Sequence, residues 1–346
     1  MKVLMIGLGS IGQRHLRNLK RLMGDNASFT AYRSRGLNIT FSNDMKIRED
    51  VNLEDEYGIE SFYDLDEALA QKPDVAFISN ITSKHIECAM KVAEAGCDFF
   101  IEKPISHNLD GIDKLLKIIE EKKLIAFVGF QNRYHPCLNK LKEILKDENI
   151  GNVLSAEAVV GERLRTMHTY EDYRTTYMAK GEYGGGVILN QLIHELDYLQ
   201  WIFGVPSSVY SVGGNLSDLE IDVEDMCEAV FSLNYSGKKI PIRVHADFLQ
   251  YPPSRFCSVV CDNGKIKADI IANRIEWSIG DNIYAETFDD FIRNDMFISE
   301  LKDFLKSVDE RAMSAINLSD GVASLKMALA IKDSMKVNKT EGINYE

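Results

Sequence analysis

The strongest constraint on this chain lies at its start. Residues 2–6 are a short apolar run that reads as a buried strand, and Gly7-Leu8-Gly9-Ser10-Ile11-Gly12 follows at once. Residues 11–23 then carry Ile11, Leu16, Leu19 and Leu22 at helical spacing, with Gly24 where a C-cap belongs. In a G-x-G-x-x-G between strand and helix each glycine has a physical use. The first permits the tight turn, the second lets the backbone approach a pyrophosphate, and the third lets helix pack on strand. The helix N-terminus offers N–H groups and a positive dipole end to the phosphates. The spacing therefore predicts a dinucleotide site on Gly7, Gly9, Ser10, Ile11 and Gly12. The plainer alternative is a glycine-rich turn kept for packing.

Strands and helices keep alternating through the first third. Residues 28–32, 75–79, 99–101 and 125–130 read as strands, and 85–95 and 109–121 as helices. Mostly apolar strands in this order indicate a parallel sheet covered on both faces. After about Gln131 the pattern changes. Residues 153–160, 208–213, 228–233, 240–248, 257–261 and 275–279 read as strands at meander or hairpin spacing, with turns at Asn263-Gly264 and Gly280-Asp281. Helices are expected over 136–145, 187–203, 297–308 and 318–336. The fold class is α/β: a doubly wound parallel sheet over residues 1–123, then an α+β domain over 124–346 with a large, open, mostly antiparallel sheet.

Charge and cysteine usage narrow the partners. Lys and Arg number 40 against 53 Asp and Glu, a net charge of −13, which argues against general nucleic-acid binding. Cys88, Cys97, Cys137, Cys227, Cys257 and Cys261 include no Cys-x-x-Cys pair, and no nearby His completes a zinc set. No metal is expected, and the thiols read as reduced in a cytoplasmic protein. Residues 1–8 are apolar enough to suggest a signal peptide, but glycines interrupt them and no cleavage site follows. No stretch is long enough to span a bilayer, so no membrane partner is expected.

The second strand ends Ala31-Tyr32-Arg33-Ser34-Arg35. An NAD-preferring site usually places Asp or Glu here, on the ribose hydroxyls. No acid is present. Arg33 and Arg35 are suited to a 2′-phosphate and Ser34 can donate to it, so NADP(H) is favoured, with NAD(H) held by backbone contacts as the alternative.

Three further segments carry chemistry. Glu102-Lys103-Pro104 follows a strand at the carboxyl end of the sheet, where ligands sit, and Pro104 keeps Lys103 out of helical geometry. An ammonium there can hydrogen-bond a substrate oxygen and move its proton; taken alone, the tripeptide is more often a surface turn. Gly184-Gly185-Gly186 precedes a helix on which Asn190, His194 and Asp197 share one face, opposite Leu189, Leu192, Leu196 and Leu199. His-Glu-x-x-Asp is not a zinc motif. Gly129-Phe130-Gln131-Asn132-Arg133-Tyr134 marks the junction of the two regions, with an inter-domain turn and a snorkelling Arg133 as the plain reading.

In their order and spacing these segments resemble the glucose–fructose oxidoreductase / inositol dehydrogenase / MocA family. The resemblance covers nearly the whole chain and includes Asn80 to His85 after the strand over 75–79 and the late Glu300-Leu301 to Phe304 helix. It implies a Rossmann domain, a second domain whose sheet often makes the oligomer contact, here a homodimer or homotetramer, and hydride transfer on a sugar, cyclitol or nucleotide-linked sugar. It implies cofactor contacts from Ser79, Asn80, His85, Glu102, Lys103 and Gln131. The family role of contacting the reacting oxygen and nicotinamide ribose falls on Lys103, and that of acid or base on His194. The family commonly has Asp where this chain has Asn190. An amide cannot relay a proton, which weakens an inositol dehydrogenase and shifts proton transfer towards Lys103.

Residues 163–177 are dense in polar aromatics, including His168, Tyr170, Tyr173 and Tyr177, and resemble stretches in relatives linked to bacterial surface-sugar biosynthesis. They point to an acidic or nucleotide-activated sugar with Arg163, Arg165 or Arg174 on an anionic group, and to His168, Tyr173 and Arg133 as substrate contacts; a polar surface loop is the alternative. Two other functions stay open. A hydrolase acting by transient oxidation would keep its NAD through dialysis. A non-enzymatic dinucleotide sensor would have no need of Lys103 and His194.

Overall fold

The computed structural model describes every residue except 35–38, 42–46, 49, 50, 168, 169 and 346. Near the N-terminus, six strands pair in parallel: β1 (Lys2–Ile6), β2 (Ser28–Tyr32), β3 (Glu60–Phe62), β4 (Val75–Ile78), β5 (Asp98–Glu102) and β6 (Ala126–Gly129). Their order is β3-β2-β1-β4-β5-β6. The order reverses between β1 and β4, and the crevice beyond the carboxyl ends at such a switch point is where doubly wound sheets bind ligands. Ile6 lies opposite Ile78 and Glu102 opposite Gly129, so the segments leaving β1, β4, β5 and β6 emerge at one edge of the sheet. The helices of this part are α1 (Ser10–Met23), α2 (Leu53–Tyr57), α3 (Leu65–Ala70), α4 (His85–Glu94) and α5 (Ile112–Lys122). Asn52 and Asp64 cap α2 and α3 by accepting amide hydrogens of their first turns.

The second sheet has nine strands: β7 (Val153–Gly161), β8 (Ser208–Gly214), β9 (Met226–Tyr235), β10 (Lys238–Asp247), β11 (Ser254–Cys261), β12 (Gly264–Asp269), β13 (Arg274–Ile279), β14 (Asn282–Thr287) and β15 (Glu341–Gly342). The order is β14-β13-β12-β11-β7-β10-β9-β8-β15. Only β7 with β10 is parallel, so the expected mostly antiparallel sheet is present. The sequence reading lacks β3, β12, β14 and the two-residue β15. β12 offers only Ile266 and Ala268 as buried alternating positions, and β14 is almost wholly exposed. Three-residue β3 and polar α2 and α3 give equally weak periodicity.

Helix α6 (Pro136–Ile144) starts with Pro at N1 and packs on β12 and β13. A single turn, α7 (Leu164–Met167), follows β7, and α8 (Ile193–Phe203) is entered through a π-helical turn, Ile188–Leu192. The late helices are α9 (Asn294–Glu310) and α10 (Leu318–Val337). Two compact units result: Met1–Phe130 with Phe297–Val322, and Gln131–Met296 with Ala323–Glu346. The return of residues 297–322 to the first unit has an aromatic cause. Phe304 stands edge-on to Phe77 and Phe127 at 5.3 and 6.0 Å, and Phe100 stacks between Phe77 and Phe127 at 5.2 and 5.5 Å.

Candidate active site

In the first unit the glycine turn has the expected geometry. Gly7 has φ +90°, and a Cβ there would come within 2.8 Å of the Asn80 backbone. A Cβ on Gly12 would lie 2.7 Å from Ser79 Oγ, which itself donates to the Gly7 carbonyl at 2.9 Å. A Cβ on Gly9 would meet nothing in the protein. Gly9 is also the N-cap of α1 and supplies no side-chain cap, and the first turn holds no acid. The amides at Ser10 and Ile11 therefore form a turn open to a phosphate, with the helix dipole in its favour. These residues fit a dinucleotide.

Beyond β4 and β5 the loops are tied to each other. His85 is buried; its Nδ1 lies 2.8 Å from the Pro104 carbonyl and its Nε2 3.0 Å from that of Asn80. Burial holds this imidazole below its usual range, and the two carbonyl bonds oppose that only in part. A neutral ring donates to one carbonyl only. His85 is thus a brace between the Asn80 and Pro104 segments.

Glu102 turns inward as well. Oε1 is 2.6 Å from His15 Nε2 on α1, and Oε2 accepts the Lys103 amide at 3.2 Å. Burial alone raises this carboxyl, but the His15 bond and the charges of His15 and Lys103 outweigh it and hold Glu102 below its ordinary range. Lys103 itself is half-buried at the end of β5. His15 escaped the sequence reading because a single histidine beside the Leu16 and Leu19 stripe carries no signal of its own.

At the end of β2, Arg33 is buried and Nη1 donates to Glu54 Oε1 at 2.7 Å. Ser34 is exposed, and Arg35 lies outside the described residues.

In the second unit, the triple glycine permits close approach. A Cβ on Gly185 would come within 2.6 Å of the Tyr177 and Met178 carbonyls, and Gly186 has φ +99° against the Glu224 carboxylate. That carboxylate accepts the Ile188 amide at 3.3 Å and pairs with Lys332 at 3.1 Å. Asn190, in the π turn, donates to Tyr177 Oη at 3.0 Å, and His194 is buried on α8.

The expectation of one polar face on this helix needs correcting. The π turn adds a residue and breaks the spacing from Asn190 to Asp197. Residues 193–200 are buried all round. Asp197, fully buried, accepts both Arg133 Nε at 2.9 Å and Nη2 at 2.7 Å, a bidentate pair. Glu195 receives Arg255 in the same way at 2.7 and 3.0 Å. Arg133 is therefore a buried anchor of α8 and does not snorkel. Gln131 is buried in the same short turn.

Of the 163–177 segment, Arg163 lies over the Tyr251 ring at 5.8 Å, Arg165 pairs with Asp218 at 3.1 Å, and Arg174 bridges Asp172 and Glu220. Tyr173 Oη accepts the Glu220 amide at 3.4 Å. His168 lies outside the described residues.

With this geometry in place, sequence profiles decide the family. One described as an oxidoreductase family with an NAD-binding Rossmann fold matches residues 1–130, and one for the GFO/IDH/MocA C-terminal domain matches residues 138–267. The chain belongs to the Gfo/Idh/MocA family. It is an NAD(P)-dependent oxidoreductase. Among its Gfo/Idh/MocA relatives, myo-inositol 2-dehydrogenase of Thermotoga maritima is 27% identical over 98% of either chain. The WlbA dehydrogenase of Bordetella pertussis, solved with NADH and UDP-GlcNAcA, shares the fold at a TM-score of 0.80, with 19% identity over 99% of both chains. UDP-N-acetylglucosamine 3-dehydrogenase GnnA of Acidithiobacillus ferrooxidans superposes at 0.75, with 20% identity over 97% of this chain and 98% of its own. Among the described residues no helix is long and apolar enough to cross a membrane.

Proposed function

We propose that this Gfo/Idh/MocA protein transfers hydride between a nicotinamide and a secondary alcohol or ketone of a sugar, and that the sugar is nucleotide-linked or acidic. The observation that carries the reading is the edge of the first sheet, where the open glycine turn and Lys103 both leave strand ends. The bound nicotinamide supplies the hydride acceptor or donor. Gly7, Gly9, Ser10, Ile11 and Gly12 hold its pyrophosphate, while Ser79, Asn80 and Gln131 line its path. His85 and Glu102, each held inside the protein, act by fixing the loops. Lys103 Nζ hydrogen-bonds the reacting oxygen and takes the hydroxyl proton when the alcohol is oxidised, or returns it when the ketone is reduced. His194 is the second acid or base, and Asn190 orients the sugar without carrying a proton.

The substrate class rests on the nucleotide sugars named for WlbA and GnnA and on the arginines of residues 163–174. Arg163 and Tyr173 are the contacts assigned to it. A cyclitol is the second reading, favoured by the Thermotoga maritima relative and opposed by Asn190. NADP(H) is the assigned cofactor, because β2 ends without an acid and Arg33 can exchange Glu54 for a 2′-phosphate. Self-association is assigned to the second sheet, where Tyr210, Val212 and Val230 are exposed on neighbouring strands. Six buried free thiols suit the cytoplasm.

The test is direct. The purified protein is mixed with NADP⁺ or NAD⁺ and a panel of free, cyclitol and nucleotide-linked sugars, and near-ultraviolet absorbance of reduced nicotinamide is followed. A rise with a nucleotide sugar, faster with NADP⁺, is expected. Cleavage of a glycoside with no net absorbance change would replace this reading with the hydrolase.

A further inference from the structure

Two buried carboxyls share the interior behind Lys103. Glu102 is one. The other is Glu300 on α9, fully buried, with neither oxygen hydrogen-bonded among the described residues. Phe297, Glu300 and Phe304 fall on one face of α9 by helical spacing. Phe297 lies 6.0 Å from the His15 ring, and Phe304 lies 5.9 Å from Phe100, itself 5.0 Å from His15. Glu300 therefore enters the same aromatic pocket as the His15–Glu102 pair. Among the described residues, the groups whose charge bears on Glu102 are His15 from α1, His85 from α4, its neighbour Lys103, and Glu300 from α9.

Two carboxylates in one dry pocket do not both ionise. Burial, reinforced by the charge of Glu102, pushes Glu300 well above the usual carboxylate range. The 2.6 Å bond from His15 is what distinguishes the two acids, since Glu300 has no such partner among the described residues.

We propose that His15 is a positioning residue for Lys103: by bonding Glu102 it fixes the pocket's one negative charge there, on the carboxylate that accepts the Lys103 amide, and not on Glu300. The same bond ties α1, whose N-terminus receives the cofactor phosphates, to the strand end that carries Lys103. A carboxylate on the residue next to an ammonium favours its charged form, so Glu102 bears on the pH at which Lys103 gains and loses its proton. The inference rests on the reading of Lys103 as the acid–base group.

The experiment requires no turnover. The intact protein is labelled with trinitrobenzenesulfonate across a pH series, and modification of Lys103 is quantified by mass spectrometry. Glu102→Gln keeps the shape and removes the charge, and it should move the labelling profile to lower pH by about one unit. His15→Leu should do the same, since an unpaired buried Glu102 takes up a proton. His15→Gln, which keeps an N–H for Glu102, and Glu300→Gln should both match the unmodified protein. The proposal is overturned if Glu102→Gln leaves the profile in place, or if Glu300→Gln moves it as far as Glu102→Gln does. Should His15→Leu fail to fold, Glu102→Gln and His15→Gln decide the matter. A protein inactive on every sugar would sink the functional reading while this labelling result stood on its own.

Discussion

Arg33 shows how a single side chain acquires a meaning its sequence position only hints at. Its place at the end of β2 is the ground for proposing it as a cofactor selector, and the structure adds that its guanidinium is buried and paired with Glu54. A 2′-phosphate brings two negative charges and three acceptors to a group that otherwise has a half-exposed carboxylate. Arg33→Ala should therefore weaken NADP(H) binding by about 10-fold or more, the worth of one charge-assisted hydrogen bond, and leave NAD(H) within about 2-fold. Fluorescence titration with the two reduced cofactors measures this directly. Equal losses for both would show that Arg33 serves the loop and not the phosphate. Arg133 carries the opposite lesson. Its position at the junction suggests a substrate contact or a snorkelling side chain, and in the structure Asp197 holds it by two hydrogen bonds in the interior. Sequence spacing placed both residues correctly in the chain and could not show that they meet.

Elements were readable in proportion to their apolar periodicity. The strands β1, β2, β4, β5 and β6 and the helices α1, α4 and α5 stood out because each buries a recognisable run, and the glycine turn was readable because three glycines at fixed spacing have a steric cause. Strands β3 and β15 were not, since their ladder partners β2 and β8 lie far away in sequence, and β12 and β14, though paired through short hairpins, bury too few apolar side chains to show a pattern. The helix over residues 187–203 was found, but its π turn was hidden. That turn depends on the Gly186 backbone and on the Glu224 carboxylate, which arrives from 36 residues downstream at Ile188. The same limit explains His15 and Glu300. Each is an isolated polar residue on an amphipathic helix, and only the fold brings them to Glu102.

Across the molecule, buried histidines make stability depend on pH. His135 caps α6 by accepting the Cys137 amide at 3.2 Å, and burial lowers it from 6.5 to about 4. An unfolded chain binds a proton at this residue between those values and the folded chain does not. The contribution is thus present above pH 6.5 and lost as pH falls towards 4. Glu300 acts in the opposite sense, because the fold keeps its proton where the unfolded chain releases it, so His135 must be isolated by difference. His135→Asn retains a capping oxygen and does not titrate. The stability gap between the two proteins, from denaturant unfolding, should shift against the histidine form by about 3 kcal/mol between pH 7 and pH 4. A gap constant with pH would mean the ring takes up its proton equally in the folded and unfolded chains. Nicotinamide-dependent hydride transfer served by Lys103 is the proposed activity, and one preparation tests it most directly. Lys103→Ala should lose turnover by about 10²-fold or more while binding of reduced cofactor stays within about 3-fold, since the glycine turn and α1 are untouched. Turnover that survived the substitution, with cofactor binding intact, would contradict the account.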